Sequence, residues 1–196
     1  MKSIILNVAP RLAPSRVIYE CTRIVDRFEE MGAFVVKNNH SKDAPHLILA
    51  IHLHILSGLH RCPSGTVFVM EHDVLYPDDW MDYEAPTDGP SYHGNGFYYS
   101  SEAGFFKRTG TPLSTLAGDR DYLIKAFTEK VKEYFVTGRI KWSEPKNNGK
   151  MHIRYGKPYI DIRHGGNITG GRAGKAVECP KEWKGFDFNV FNRDSV

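Results

Sequence analysis

Two hydrophobic periods alternate along the first half of the chain. Ser3–Val8 (SIILNV) is an apolar, β-branched run and reads as a short buried strand. The loop APRLAP follows, and its Pro14 suits the first turn of a helix. Val17, Ile18, Cys21, Ile24, Val25 and Phe28 then recur at three- and four-residue steps, one apolar helix face that ends at Gly32. Ala33–Lys37 (AFVVK) returns to strand character, with Asn38, Asn39 and His40 as a polar loop at its end. Strand, helix and strand in that order predict parallel strands joined by a crossover helix.

The pattern then repeats. Ala44–His60 is a second helix with Leu47, Ile48, Ile51, Ile55, Leu56 and Leu59 as its face. Pro63, Ser64 and Gly65 turn the chain into Thr66–Met70 (TVFVM), a fully buried strand. Residues 77–96 carry Pro, Gly and Asp throughout and read as loop. Phe97–Arg108 reads as strand, with a hairpin around Ser101 to Gly104. Asp119 is placed to cap a helix carrying Tyr122, Leu123, Ala126, Phe127, Val131, Tyr134 and Phe135, ended by Gly138. Ile140–Ile162 reads as short strands and turns. Five glycines between 165 and 174 mark the start of a flexible tail.

Length and composition narrow the class. The 196 residues suit one domain with a short tail, long enough to bury a core. Apolar residues at 41% and charged residues at 25% describe a globular protein. No stretch approaches 18 apolar residues, so no membrane span is expected. The N-terminal apolar run is too short for a secretory leader. Cys21, Cys62 and Cys179 are an odd set without metal spacing and read as reduced thiols of a cytoplasmic protein. His46, His52, His54 and His60 contain no i, i+4 pair, so they lack the helical two-ligand arrangement and read as solvated or locally satisfied. A net charge of +3 permits an anionic partner without requiring one.

The chemistry concentrates after the third strand. TVFVM runs straight into Glu71-His72-Asp73. Side chains alternate along a strand, so continued strand geometry puts Glu71 and Asp73 on one side. Two carboxylates that close repel unless a cation lies between them, and oxygen ligands suit Mg2+ or Mn2+. A cation with open positions can grip a diphosphate. The bland alternative is a strand end fraying into a solvated acidic loop. In open parallel sheets, ligands bind at the carboxyl ends of the strands, and Pro10, Arg11, Asn38, Glu71 and Asp73 all fall at that edge.

The segment FVMEHDVLYP resembles the DxD region of GT-A fold glycosyltransferases, and the order of elements over residues 1–110 is similar to that fold. The match departs at two places: the first acidic position is Glu71, and His72 is central. The resemblance implies a single α/β GT-A-like (Rossmann-like) domain over residues 1–164, its mixed, mostly parallel sheet flanked by helices. Residues 165–196 would form a glycine-rich flexible tail closing over the donor site. It implies a UDP-sugar donor and a Mn2+ or Mg2+ ion held by Glu71, Asp73 and His164. Ala9, Pro10, Arg11, Ser15, Arg16, Asn38, His72 and Arg163 would contact the nucleotide-sugar, with Asn167, Thr169 and Arg172 closing on the diphosphate. Asp119 or Asp121, at the start of a late helix, would be the base of an inverting transfer; plain capping is the alternative.

EHDVLYP and DIRHGGNITG are also similar to small phage-encoded glycosyltransferases that decorate 5-hydroxymethylated pyrimidines in DNA. That likeness implies DNA as acceptor in a host cytoplasm. Tyr92, Asn95 and Phe97 would hold the base, and Lys107, Arg108, Lys130, Lys132, Arg139, Lys141 and Lys146 would track phosphates. A glycan or protein acceptor, a metal-dependent nuclease or phosphotransferase, and a non-catalytic nucleotide-binding module are the alternatives. The oligomeric state is left open by these patterns.

Overall fold

The structure is a computed structural model, and it describes residues 1–8, 15–39, 47–139, 151–163 and 175–191. Strand β1 (Ser3–Val8) lies at the centre of the N-terminal half. Helix α1 (Ser15–Glu30) returns the chain to β2 (Phe34–Asn39), which runs parallel to β1 with Ile5 opposite Val36. Helix α2 (Leu47–Arg61) leads to β3 (Thr66–Glu71), parallel to β1 on its other side, with Asn7 opposite Glu71. Ile4 and Leu6 pack with Ile24, Val25 and Phe28 of α1, while Ile5 packs with Ile55 and Leu59 of α2. Burial on both faces is why this strand carries no polar alternation.

The chain turns at His72 and Asp73 into β4 (Val74–Leu75). A 3-10 turn at Asp78–Asp82 follows, then β5 (Ser91–His93), β6 (Gly96–Ser100) and β7 (Gly104–Arg108). β6 and β7 form the expected hairpin. Strand β8 (Ala117–Asp119) runs into α3 (Arg120–Thr137), and β9 (His152–Arg154), β10 (Tyr159–Arg163) and β11 (Ala176–Val177) complete the set. Two sheets result. The first has the order β2-β1-β3-β8-β5-β9 and is mostly parallel; the second has the order β11-β7-β6-β10-β4 and is mostly antiparallel. α1 joins them: Ile24, Val25 and Phe28 meet the first sheet's core, and Val17 and Cys21 meet the second's.

Three expectations are corrected. Residues 77–96 are not simply loop: Trp80, Met81 and Tyr92 are core residues, carried by a 3-10 turn and a three-residue strand too short to show a period. Residues 175–191 are docked and not a free tail. β11 pairs with β7, the Trp183 indole donates to the Pro158 carbonyl at 2.7 Å, and Phe186, Phe188 and Phe191 pack with Tyr99 and Ile160. The glycine-rich residues 165–174 lie outside the described residues. His52 is a buried core residue whose ring lies 5.4 Å from that of Phe127. His46 lies outside the described residues. Cys21, Cys62 and Cys179 are free thiols. Among the described residues, no helix is long and apolar enough to cross a membrane.

Two buried histidines make the fold acid-sensitive. Burial lowers the pKa of His52 and of His93 to about 4, with Arg154 adding to the effect on His93. The unfolded chain binds these protons near pH 6.5, before the folded chain does. Their contribution is therefore full above about pH 6.5 and drains as pH falls toward 4. The loss is at most about 1.4 kcal/mol per pH unit for each histidine. Urea unfolding at pH 7 and pH 5 should show a lower midpoint at pH 5, and His52→Leu should remove roughly half of the difference. A midpoint that does not move would refute the assignment.

Candidate functional site

Five buried residues, Thr66 to Met70, carry Glu71 to the carboxyl end of β3. There the chain turns under two restraints. The backbone N–H of His72 and its ring Nδ1 both reach the Asn7 carbonyl, each at 3.2 Å. The Tyr76 hydroxyl accepts from the Glu71 N–H at 2.8 Å and donates to the Ser114 carbonyl at 2.9 Å. β3 ends at Glu71 and His72 and Asp73 form a turn, so strand alternation is not what places Asp73. Burial first, then the charges of Glu71, Asp73 and Asp161, push the pKa of the Tyr76 phenol well above the usual value. Asp73 is only 6% exposed, and its carbonyl accepts from Ile162 N–H at 2.8 Å.

That bond brings β10 alongside. Asp161 stands opposite Val74 on β4 and Tyr98 on β6, and is 5% exposed. Its carboxylate is ion-paired to Arg108 from β7, and Arg163 Nε is 3.9 Å from it. The guanidiniums of Arg163 and Arg108 lie over the Tyr98 ring, 3.8 and 4.8 Å from its centroid. Burial is the largest influence on Arg108 and opposes its charge, but Asp161, Tyr159, Tyr98 and Glu71 together outweigh it, and the guanidinium's pKa is raised. Cys21 lies beneath the same group. Burial, then Asp73 and Asp161, push its thiol well above the usual range, so it is no nucleophile.

The edge thus carries the Asp161 carboxylate with the guanidiniums of Arg163 on β10 and Arg108 on β7, and Glu71 and Asp73 at the turn that β10 meets. Glu71 and Asp73 offer hard oxygen donors of the kind Mg2+ or Mn2+ takes. Among the described residues, no three His, Cys, Asp or Glu groups are arranged to hold an ion. The Asp161 carboxylate is engaged by Arg108.

The other expected residues divide clearly. Ser15 is exposed and Arg16 half-buried, both at the start of α1, which enters from the carboxyl end of β1. Arg163 and His72 are at the site. Ala9, Pro10, Arg11 and His164 lie outside the described residues, as do Asn167, Thr169 and Arg172; Asn38 is described only as backbone, opposite Asn7. Asp119 and Asp121 are not brought here. Asp119 pairs with Thr66 at the opposite end of β3, about 17 Å of strand from Glu71. Its carboxylate caps α3, accepting from Asp121 N–H at 3.0 Å and Tyr122 N–H at 3.1 Å, and Asp121 pairs with Arg120.

The acceptor expectation meets similar corrections. Tyr92 is fully buried among Val67, Val69 and Phe127 and offers no surface to a base. Asn95 donates to the Gly156 carbonyl at 2.9 Å and accepts from Lys107 at 2.6 Å, and Lys107 lies 4.2 Å from the Phe97 ring centroid. Arg108 serves Asp161 and not a phosphate track. Sequence reasoning missed Tyr76, Tyr98 and Asp161, and gave Arg108 a phosphate-tracking role in place of its pairing with Asp161. A lone acid inside the apolar run Tyr159-Ile160-Asp161-Ile162 was a signal for Asp161. Arg108 has no local signal, because its partner is 53 residues away.

Comparison with known proteins agrees on architecture. No protein-family model and no curated protein matches the chain. Among solved structures, a glycosyltransferase involved in the glycosylation of the major capsid of PBCV-1 superposes with a TM-score of 0.51 at 10% identity. The match covers 79% of this chain and 82% of that one. A nucleoside-diphosphate-sugar pyrophosphorylase from Vibrio cholerae aligns over 82% of this chain and 95% of its own, with 10% identity and a TM-score of 0.38, too low to carry an argument. The fold is therefore glycosyltransferase-like: mixed α/β, with a mostly parallel first sheet flanked by helices.

The two ends of β3 should respond differently to substitution. Tyr76→Phe strands a part-buried N–H and a buried carbonyl and should cost about 1–3 kcal/mol. Asp119→Ala removes a helix cap and should cost about 1 kcal/mol. Urea unfolding measures both; an unchanged midpoint for Tyr76→Phe would show that the hydroxyl bridge does not restrain the turn.

Proposed function

We propose that this chain transfers a sugar from a nucleotide diphosphate sugar, UDP-linked by resemblance, to a hydroxyl acceptor. The observation that supports it is the acidic turn Glu71-His72-Asp73 at the carboxyl end of a central parallel strand, in a glycosyltransferase-like fold, with Arg163 beside it. Glu71 and Asp73 would hold Mn2+ or Mg2+, with His164 as a third ligand. The bound cation would supply charge neutralisation for the departing diphosphate. Arg163, steadied on Tyr98, presents a guanidinium that matches phosphate oxygens. Ser15 and Arg16 open α1, where backbone N–H groups favour an anion. Asp119 and Asp121 take no part in this proposal, since their end of β3 faces away from the acidic turn.

The acceptor proposed first is a 5-hydroxymethylated pyrimidine in DNA, on the likeness of EHDVLYP and DIRHGGNITG to enzymes of that kind. A glycan or protein hydroxyl is the second reading. It is favoured by the internal engagement of Tyr92, Lys107 and Arg108, which leaves the expected DNA-facing set short of three members.

The test is incubation with Mn2+ and a panel of UDP-sugars, with and without hydroxymethylated DNA, followed by nucleoside mass spectrometry and assay of released UDP. The expected result is metal-dependent UDP release, with a sugar-sized mass gain on the acceptor used. Asp73→Asn should lower turnover by about 100-fold or more. Release without a DNA adduct would move the acceptor to the glycan or protein reading. No donor turnover and no UDP binding by calorimetry would overturn the proposal, and phosphodiester cleavage in the same mixture would favour a metal-dependent nuclease.

A further inference from the structure

We infer that Arg154, with the aromatic rings around it, forms a binding site for a small monovalent anion of chloride or formate size, held on one edge of its guanidinium. The site lies apart from the acidic turn and does not depend on the sugar-transfer reading.

Arg154 is the last residue of β9, opposite His93 on β5. β9 is the outer strand of the first sheet, yet this side chain turns inward and the residue is 8% exposed. Its guanidinium carbon lies 4.1 Å from the ring centroid of Trp80, 4.8 Å from that of Tyr83 and 5.3 Å from that of Phe68. Nη1 donates to the Trp80 carbonyl at 3.4 Å. Nε and Nη2 are buried and meet no acceptor, and the indole Nε1 of Trp80 is likewise buried without one. Nε–H and one N–H of Nη2 point from the same edge of the guanidinium plane. That edge takes both oxygens of a carboxylate-like anion, or a single halide.

The charge asks for the same occupant. Burial lowers the pKa of Arg154 to about 10, which leaves it cationic at neutral pH. Arg108, the other largely buried guanidinium at a sheet face, is paired with Asp161. Arg154 forms no ion pair among the described residues. Asp79 acts on it from a distance but is paired with Lys157 at 3.6 Å, and His93 is neutral at pH 7. A buried charge without a partner is costly, and ring faces at these distances recover only part of that cost. One small anion supplies both the missing charge and the missing acceptors. A divalent oxyanion would leave an excess negative charge among apolar rings, and burial on this scale excludes a polymer. Tyr83 is half-buried and stands on irregular chain after the 3-10 turn, so its ring is the cover an entering anion displaces. Trp80 in turn lies edge-on to Tyr76 at 4.8 Å, which ties the site to the packing behind the acidic turn.

The test follows thermal unfolding at pH 7 and constant ionic strength while sodium chloride or sodium formate replaces sodium gluconate, whose anion is too bulky to enter. Chloride-35 line width in the folded protein reports binding directly. The wild-type midpoint should rise by about 3 °C or more and then saturate. Chloride broadening should be in excess of the free ion's and should fall when formate competes. Arg154→Met should lose both responses, whatever its own midpoint. Should that variant fail to fold, Arg154→Lys keeps the charge without the fork and should bind chloride at least about tenfold more weakly. A merely structural Arg154 would make no distinction between gluconate, chloride and formate. Equal wild-type midpoints and line widths in the three salts overturn the inference. So does a rise that never saturates, which is a bulk salt effect, or a folded Arg154→Met that keeps the saturable response.

Discussion

The Tyr76 hydroxyl is the restraint on which the acidic turn depends. It sits in the core, bonded to the Glu71 N–H on one side and the Ser114 carbonyl on the other. A chain leaving a parallel strand has a free choice of direction, and two charged residues at its end favour drifting into solvent. Here the drift is blocked from three sides. Tyr76 holds the backbone of Glu71, the Asn7 carbonyl holds His72, and Ile162 holds the carbonyl of Asp73. Those partners come from two different sheets, so the turn is also the seam where the sheets meet.

The seam explains the charge arrangement. β3 ends in acids because the carboxyl edge of a parallel sheet opens to ligands, and β10 then brings Asp161 to the same place. Buried carboxylates that close are costly unless a cation accompanies them. For Asp161 the protein supplies that compensation itself, through Arg108 and Arg163. Tyr98 matters because its ring seats both guanidiniums, fixing the direction of groups that would otherwise sweep a wide arc.

The N-terminal β-α-β-α-β order was legible because each element is long and strongly periodic, and the register of β1 with β2 and β3 follows from burial on both faces. The hairpin of β6 and β7 and the Asp119 and Gly138 caps of α3 were legible from local chemistry. The second sheet was not, because its pairing of β6 with β10 joins residues more than 60 positions apart and no local pattern announces it. The same limit governs the site. Glu71, Asp73 and Arg163 stand beside apolar strands and could be found, whereas Arg108 and Tyr76 acquire meaning only through partners far along the chain. Tyr92 misled for a related reason. An aromatic in a Gly- and Pro-rich stretch looks like a surface residue, yet a three-residue strand suffices to bury it.

Asp119 and Asp161 show how topology, not residue type, assigns a role. Both are acids on short strands beside or near β3. β8 runs antiparallel to β3, so its last residue meets the first residue of β3, at the amino end of the parallel strands. An acid delivered there faces helix N–H groups and caps them. β10 runs antiparallel to β4, which itself leaves the acidic turn, so its residues are returned to the carboxyl end. An acid delivered there faces other acids and must be neutralised. The demand for neutralisation is what draws Arg108 across a strand to Asp161, while the other end of β3 is given over to holding α3.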